Sequence, residues 1–150
     1  MQLEIIAEGE PLAGLQRFVD RLARPGNAER RKVADAIRQA YQANFSAEGS
    51  AAGPWRPLRP FTIAERRRKG FPGAHPILVQ TGRMRDSFVR AGAPNHVDRF
   101  TAGLEGWSLE VGSASELARK HEFGEEKVPA RPITPLTDQA QRRISDVLDY

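Results

Sequence analysis

Seven prolines and glycines between positions 54 and 76 set the first constraint on this chain: Pro54, Pro57, Pro60, Gly70, Pro72, Gly73 and Pro76. Proline removes a backbone donor and clashes with a preceding helical turn, while glycine costs conformational entropy in any regular element. No long helix or strand crosses such a stretch, so the fold has to be assembled from elements on either side of it. Structureless connections beyond about 12–15 residues are uncommon in compact domains and are usually functional or disordered. The segment from Gly53 to Phe88 is therefore where function is expected.

The same segment holds the positive charge. Residues 55–90 carry nine Arg or Lys against Glu65 and Asp86, a net of +7, whereas the rest of the chain nets −3. A local basic patch suits nucleic acid or an acidic protein surface. Thr62-Ile63-Ala64-Glu65 has the form of a capping box, which predicts a short helix from Ile63 to about Lys69, stopped by Gly70. The run Arg66-Arg67-Arg68-Lys69 then lies on a solvated helix face. Trp55 is either core or the anchor of an interface.

On the N-terminal side, Leu3–Ile6 reads as a short edge strand, and Leu12, Leu15, Phe18, Val19 and Leu22 recur at helical spacing. Pro25-Gly26-Asn27 separates that helix from a second one, with Asn27 as its N-cap and Val33, Ile37, Tyr41 and Phe45 on one face. Two amphipathic helices joined by a tight turn predict an antiparallel hairpin. On the C-terminal side, Ile77-Leu78-Val79 is a brief strand or packing segment, and Thr81 caps a helical turn presenting Met84 and Phe88. Val97–Ala102 and Trp107–Val111 alternate as a β-hairpin around Gly103 and Gly106. Ser113 or Ser115 caps a short helix holding Leu117 and Ala118. A last helix, beginning at Thr134-Pro135 or Thr137-Asp138, presents Leu136, Ala140, Ile144, Val147 and Leu148. The expected class is α+β: an N-terminal helical hairpin and a C-terminal helix on a small antiparallel sheet, with a long Pro/Gly-rich basic loop. At 150 residues it is most economically one domain, 1–150, with an extended arm over about 46–80.

Function classes can also be excluded by what is missing. With no cysteine the chain has no disulfide framework, thiol nucleophile or thiolate metal site. His75, His96 and His121 are far apart and form no HExxH or HxH pattern, and no nucleophile elbow or phosphate-cradling glycine loop occurs. An enzyme is not expected, and no cofactor is implied. No apolar run approaches the roughly 20 residues that span a bilayer, and Met1-Gln2-Leu3-Glu4 lacks a secretory layout. The expectation is a soluble cytoplasmic chain.

Five short boxes then stand in a telling order. They are Gly53-Pro54-Trp55-Arg56-Pro57-Leu58 with Thr62, Ile77-Leu78 running into Thr81-Gly82-Arg83-Met84-Arg85-Asp86-Ser87, Val111-Gly112-Ser113, His121-Glu122-Phe123-Gly124 and Val128-Pro129-Ala130-Arg131-Pro132. Their order resembles the phage virion morphogenesis family, the tail completion proteins of Mu-like tailed phages, over nearly the whole chain. The chain departs from the family pattern in having Leu117-Ala118-Arg119-Lys120 before the histidine box and Ile133-Thr134-Pro135-Leu136 after the last one.

The resemblance implies a structural, non-catalytic protein of the head–tail junction, acting in the virion tail or neck and in the host cytoplasm during assembly. It implies a ring-like homo-oligomer in contact with tail and neck proteins, and no membrane. The expected interface residues are Trp55, Leu58 and Thr62, the run Arg66, Arg67, Arg68 and Lys69, then Gly82, Met84 and Ser87, His121, Phe123 and Gly124, and Pro129, Arg131 and Pro132. Arg131 would bond a carboxylate across a subunit boundary. Two alternatives compete: a small nucleic-acid-binding module using the basic 55–90 stretch, and a metal-dependent hydrolase using His121 with Glu122, Glu125 or Glu126.

Overall fold

The stripe Val33, Ile37, Tyr41 and Phe45 organises the molecule. In the computed structural model, which describes residues 26–104 and 106–148, these side chains lie on one face of helix α1, Asn27–Ala47, and all are buried. The predicted strand at Leu3–Ile6, the helix at Leu12–Leu22 and the helical hairpin they would complete lie outside the described residues. Gly26, rather than Asn27, is the N-cap of α1.

Two very short strands, β1 (Gly49–Ser50) and β2 (Gly53–Pro54), pair antiparallel and turn the chain back after α1. Helix α2 then runs from Pro60 to Arg68, so it starts earlier than the capping box suggests. Proline before a helix pushes its predecessor, Arg59, into extended geometry and itself fits the first helical position without losing a bond. Thr62 is consequently inside the helix and caps nothing. Gly70, at φ 83°, ends α2 as expected: its N–H bonds Arg67 O at 3.0 Å, and the Phe71 N–H bonds Arg66 O at 2.9 Å. That pair of bonds is the left-handed helix stop that glycine favours.

Ile77 and Leu78 are buried but form no strand, so this is the packing segment of the two expected forms. The Glu48 carboxylate holds it in place, accepting the Ile77 N–H at 3.0 Å and pairing with His75 Nδ1 at 2.7 Å. Helix α3 (Arg83–Val89) buries Met84, Ser87 and Phe88. Strands β3 (His96–Gly103) and β4 (Gly106–Ser113) form the expected antiparallel hairpin, with Gly103 opposite Gly106. Helix α4 spans Glu116–Phe123, and Ser115 is its cap, accepting the Ala118 N–H at 3.4 Å. Helix α5 spans Asp138–Leu148; of the two expected starts it takes the later, with Thr137 Oγ1 accepting the Ala140 N–H at 3.2 Å.

The described residues thus form a mixed α+β structure of five helices and two two-stranded antiparallel sheets. Helix α1 sits at its centre, touching α3, α5 and β4, and the main partner of α5 is α1 rather than the sheet. Phe88 packs its ring 5.4 Å from Tyr41 and 5.9 Å from Phe45, while Phe45 meets Trp55 edge-on at 5.4 Å. Tyr41 O–H donates to Val111 O at 2.9 Å, tying α1 to β4, and burial pushes its phenol well above the ordinary range. Arg38 extends the tie to β3, reaching Asp98 at 2.9 Å and its neighbour Asp35 at 2.7 Å.

Candidate interaction surface

Three of the five boxes bear on one another through the segment after α4. Gly124 turns the chain out of that helix at φ 75° and ψ 158°, a region essentially closed to other residues. An added Cβ there would come within 3.0 Å of Ala130 N. The box His121-Glu122-Phe123-Gly124 is therefore the last helical turn and its exit. The returning strand of chain, residues 131–135, is then held by side chains from elsewhere. The Arg131 N–H donates to His121 O at 2.7 Å. The Glu122 carboxylate, buried, accepts the Ile133 N–H at 2.6 Å and the Thr134 N–H at 3.2 Å, and also the Thr134 hydroxyl.

From α1, Asn44 Nδ2 donates to Ile133 O at 2.8 Å and Pro135 O at 3.2 Å. Trp55 Nε1 donates to Pro132 O at 2.8 Å. In return, Arg131 reaches back to the tryptophan segment, with Nε donating to Arg56 O at 2.7 Å and Nη2 to Pro57 O at 3.1 Å. Buried backbone groups that lack a partner cost about 1–3 kcal/mol each. The two irregular segments satisfy that requirement for one another, and neither has a regular sheet to do it.

This placement corrects two expectations. The Arg131 guanidinium is committed to Arg56 and Pro57 within the chain, and the residue is only 3% exposed, so no carboxylate of another subunit is needed to satisfy those bonds. Arg66 does not lie on a solvated face. It is 5% exposed and donates to Pro76 O at 2.8 Å, because the turn at 70–76 folds back over it. Trp55, Met84 and Ser87 are also interior, and Gly82, the N-cap of α3, is buried. Ser87 Oγ pairs with Ser113 Oγ at 2.7 Å, so the Thr81–Ser87 box faces β4 and joins the Val111-Gly112-Ser113 box rather than the proline-rich one.

The expected interface residues that remain exposed are Arg67, Arg68, Lys69 and Phe123; Leu58, Thr62, His121, Gly124, Pro129 and Pro132 are half-buried. Arg68 is occupied by Glu65 at 2.9 Å. Among the described residues, four large apolar side chains stand in solvent: Phe61, Leu104, Leu117 and Phe123. Helix α4 buries Ala118 and Glu122 while exposing Leu117 and Phe123, so its polar carboxylate faces inward and its aromatic ring faces out. Among the described residues no three His, Asp or Glu side chains gather to hold a metal ion, and no helix is long and apolar enough to cross a membrane.

Two residues of the clamp escape a reading of the sequence for chemistry. Glu122 is visible only as a would-be metal ligand, and nothing local distinguishes it from Glu125 or Glu126. Asn44 does leave a signal: it follows Tyr41 by three positions, on the apolar stripe of α1, where a polar side chain needs an internal partner.

Burial, and secondarily the charge of Arg131, pushes His121 down to about 4 from 6.5, and its Nδ1 is buried without a partner. The unfolded chain takes up this proton near pH 6.5 and the folded protein only near pH 4. Between those values the unfolded state binds more protons, so stability rises with pH from about 4 to about 6.5 and is level above. Partial solvation discounts the contribution to about 2 kcal/mol. Urea unfolding of the parent and of His121→Gln across pH 4.5–7 reads it. The difference between the two proteins should shift by that amount toward acid, and parallel pH profiles would refute it.

A model of the phage virion morphogenesis family matches residues 11–150. No curated protein and no solved structure matches the chain.

Proposed function

The chain belongs to the phage virion morphogenesis family, and from that premise we propose that it is a non-catalytic assembly protein that completes the tail end or neck. In this reading it supports head–tail joining by self-association and by contacts with neighbouring virion proteins. The carrying observation is the family match, which runs through the whole described structure.

The surface supports the reading in two ways. Phe123 and Leu117 on α4 are 70% and 53% exposed. Aromatic residues such as Phe123 are enriched in protein interfaces relative to the rest of the surface. Further along the same segment, residues 132–135 are pinned by Glu122, Asn44 and Trp55, so little conformational entropy is lost there when a neighbour docks.

The test is a phage or prophage lacking this chain, complemented in trans. Joined, infectious particles are expected to fall by orders of magnitude, to return with the parent chain, and to stay low with Leu117→Ser/Phe123→Ser. Both substitutions fall on exposed side chains and spare the fold. Normal numbers of infectious particles without the chain would sink the proposal.

A further inference from the structure

Among the described residues, two buried arginines have no carboxylate within ion-pair distance. Arg66 and Arg131, 5% and 3% exposed, donate only to carbonyl oxygens: Pro76 and Gly73 for the first, Arg56 and Pro57 for the second. Elsewhere the chain does supply counter-ions: Arg38 has Asp35 and Asp98, Arg68 has Glu65, and Arg119 has Glu116 and Glu125. A buried cation normally needs an opposite charge as well as hydrogen bonds. The carboxylate that acts on Arg66, Glu48, already holds His75 and the Ile77 N–H.

The crowding extends to the surface. Arg131 bonds the carbonyls of Arg56 and Pro57, and Arg59 follows two residues later as the N-cap of α2. Arg56 and Arg59 are exposed, and among the described residues neither pairs with a carboxylate. Burial, followed by the charges of Arg66, Arg56 and Arg59, lowers the affinity of Arg131 for its own proton. Phe61, in the first turn of α2 and two residues after Arg59, is 77% exposed.

We propose that Arg56, Arg59 and Phe61 form the contact face of a docking site for an acidic segment of a partner protein, with Arg66 and Arg131 as fixed positive charges behind it. The site rests on the reading of the chain as an assembly protein and names the chemistry of one of its neighbours. Charge complementarity identifies the occupant: among the described residues no carboxylate pairs with Arg56, Arg59 or Arg131, and the partner brings the anions. An exposed aromatic flanked by arginines has the composition of a protein–protein hot spot. A nucleic-acid duplex offers phosphates but no socket for the ring. The basic run that would follow a phosphate backbone is broken up, with Arg66 buried and Arg68 tied to Glu65. Buried charges are screened little by salt, so their field persists at the face of the protein.

The experiment is fluorescence anisotropy on the full chain with two labelled probes, a short peptide alternating Glu and Leu and a mixed-sequence DNA duplex. The peptide is expected to bind saturably. Arg56→Ser/Arg59→Ser should weaken it by about tenfold or more, and Phe61→Ser by about fivefold. Arg67→Ser/Lys69→Ser removes the same charge and should cost less than about twofold. All these side chains are exposed, and unchanged thermal midpoints verify that each variant folds. Equal losses in the two double variants would overturn the proposal, since they would mean diffuse attraction. So would duplex binding tighter than peptide binding with a steep salt dependence, or no saturable binding at all. Failure of the assembly reading shows separately, as normal particle numbers without the chain.

Discussion

Trp55→Ala is expected to destabilise the protein by about 3–5 kcal/mol, the usual cost of truncating a large buried aromatic. That is a large share of the roughly 5–15 kcal/mol by which a domain is stable. Trp55 is 4% exposed, meets Phe45 edge-on at 5.4 Å, and donates through its indole to Pro132 O at 2.8 Å. Truncation removes ring volume from the core and leaves a carbonyl of the 131–135 segment without its donor. Trp55→Phe separates the two effects: it keeps most of the apolar contact and loses the N–H, so about 1–3 kcal/mol should remain. Urea unfolding at two protein concentrations is the measurement. A loss below about 1 kcal/mol for the alanine variant, or a loss that scales with concentration, would place the tryptophan's role between subunits rather than within one.

Glu122→Ala should cost about 2–4 kcal/mol, although it removes no large apolar surface. Its carboxylate accepts from Ile133 N, Thr134 N and the Thr134 hydroxyl, and truncation leaves those buried donors unpaired. Glu122→Gln is expected to fall between parent and alanine, because an amide offers one acceptor oxygen where the carboxylate offers two. The loss should also be local. Amide hydrogen exchange at Ile133 and Thr134, whose N–H groups donate to Glu122, should accelerate in both variants by more than at Val111, which Glu122 does not bond. Parent-like stability and exchange in Glu122→Gln would show that the clamp does not hold residues 131–135.

These two residues also show where sequence reading stops. The stripe Val33, Ile37, Tyr41, Phe45 is legible because helical period alone puts the four on one face, whatever they later pack against. The β3–β4 hairpin, a cap at Ser113 or Ser115 (the structure takes Ser115) and the stop at Gly70 are legible for the same reason: each depends on residues within a few positions of one another. The start of α2 is misplaced by local reading: the capping box at Thr62 puts it at Ile63, whereas Pro60 at the first helical position sets it.

The candidate surface was legible as a set of boxes but not as an arrangement. Arg66 and Arg67 are neighbours in one basic run, yet one is 5% exposed and the other lies in solvent. Composition gives no means to tell them apart, because only the turn at 70–76 decides which guanidinium is covered. Arg131 reads as a surface contact for the same reason.

By itself, then, the sequence determined the local elements, the concentration of positive charge in residues 55–90 and the family to which the order of boxes belongs. The tertiary structure decided which charges and polar groups are free to act. It pairs Trp55 with Pro132, Arg131 with Arg56, and Glu122 with Ile133, across separations of 77, 75 and 11 residues. The physical reason is that burial and hydrogen-bond satisfaction depend on what the rest of the chain lays over a residue. The proline-rich stretch that no long helix or strand crosses is for that reason an ordered part of the molecule: side chains far away in sequence supply bonds its irregular backbone cannot make with itself.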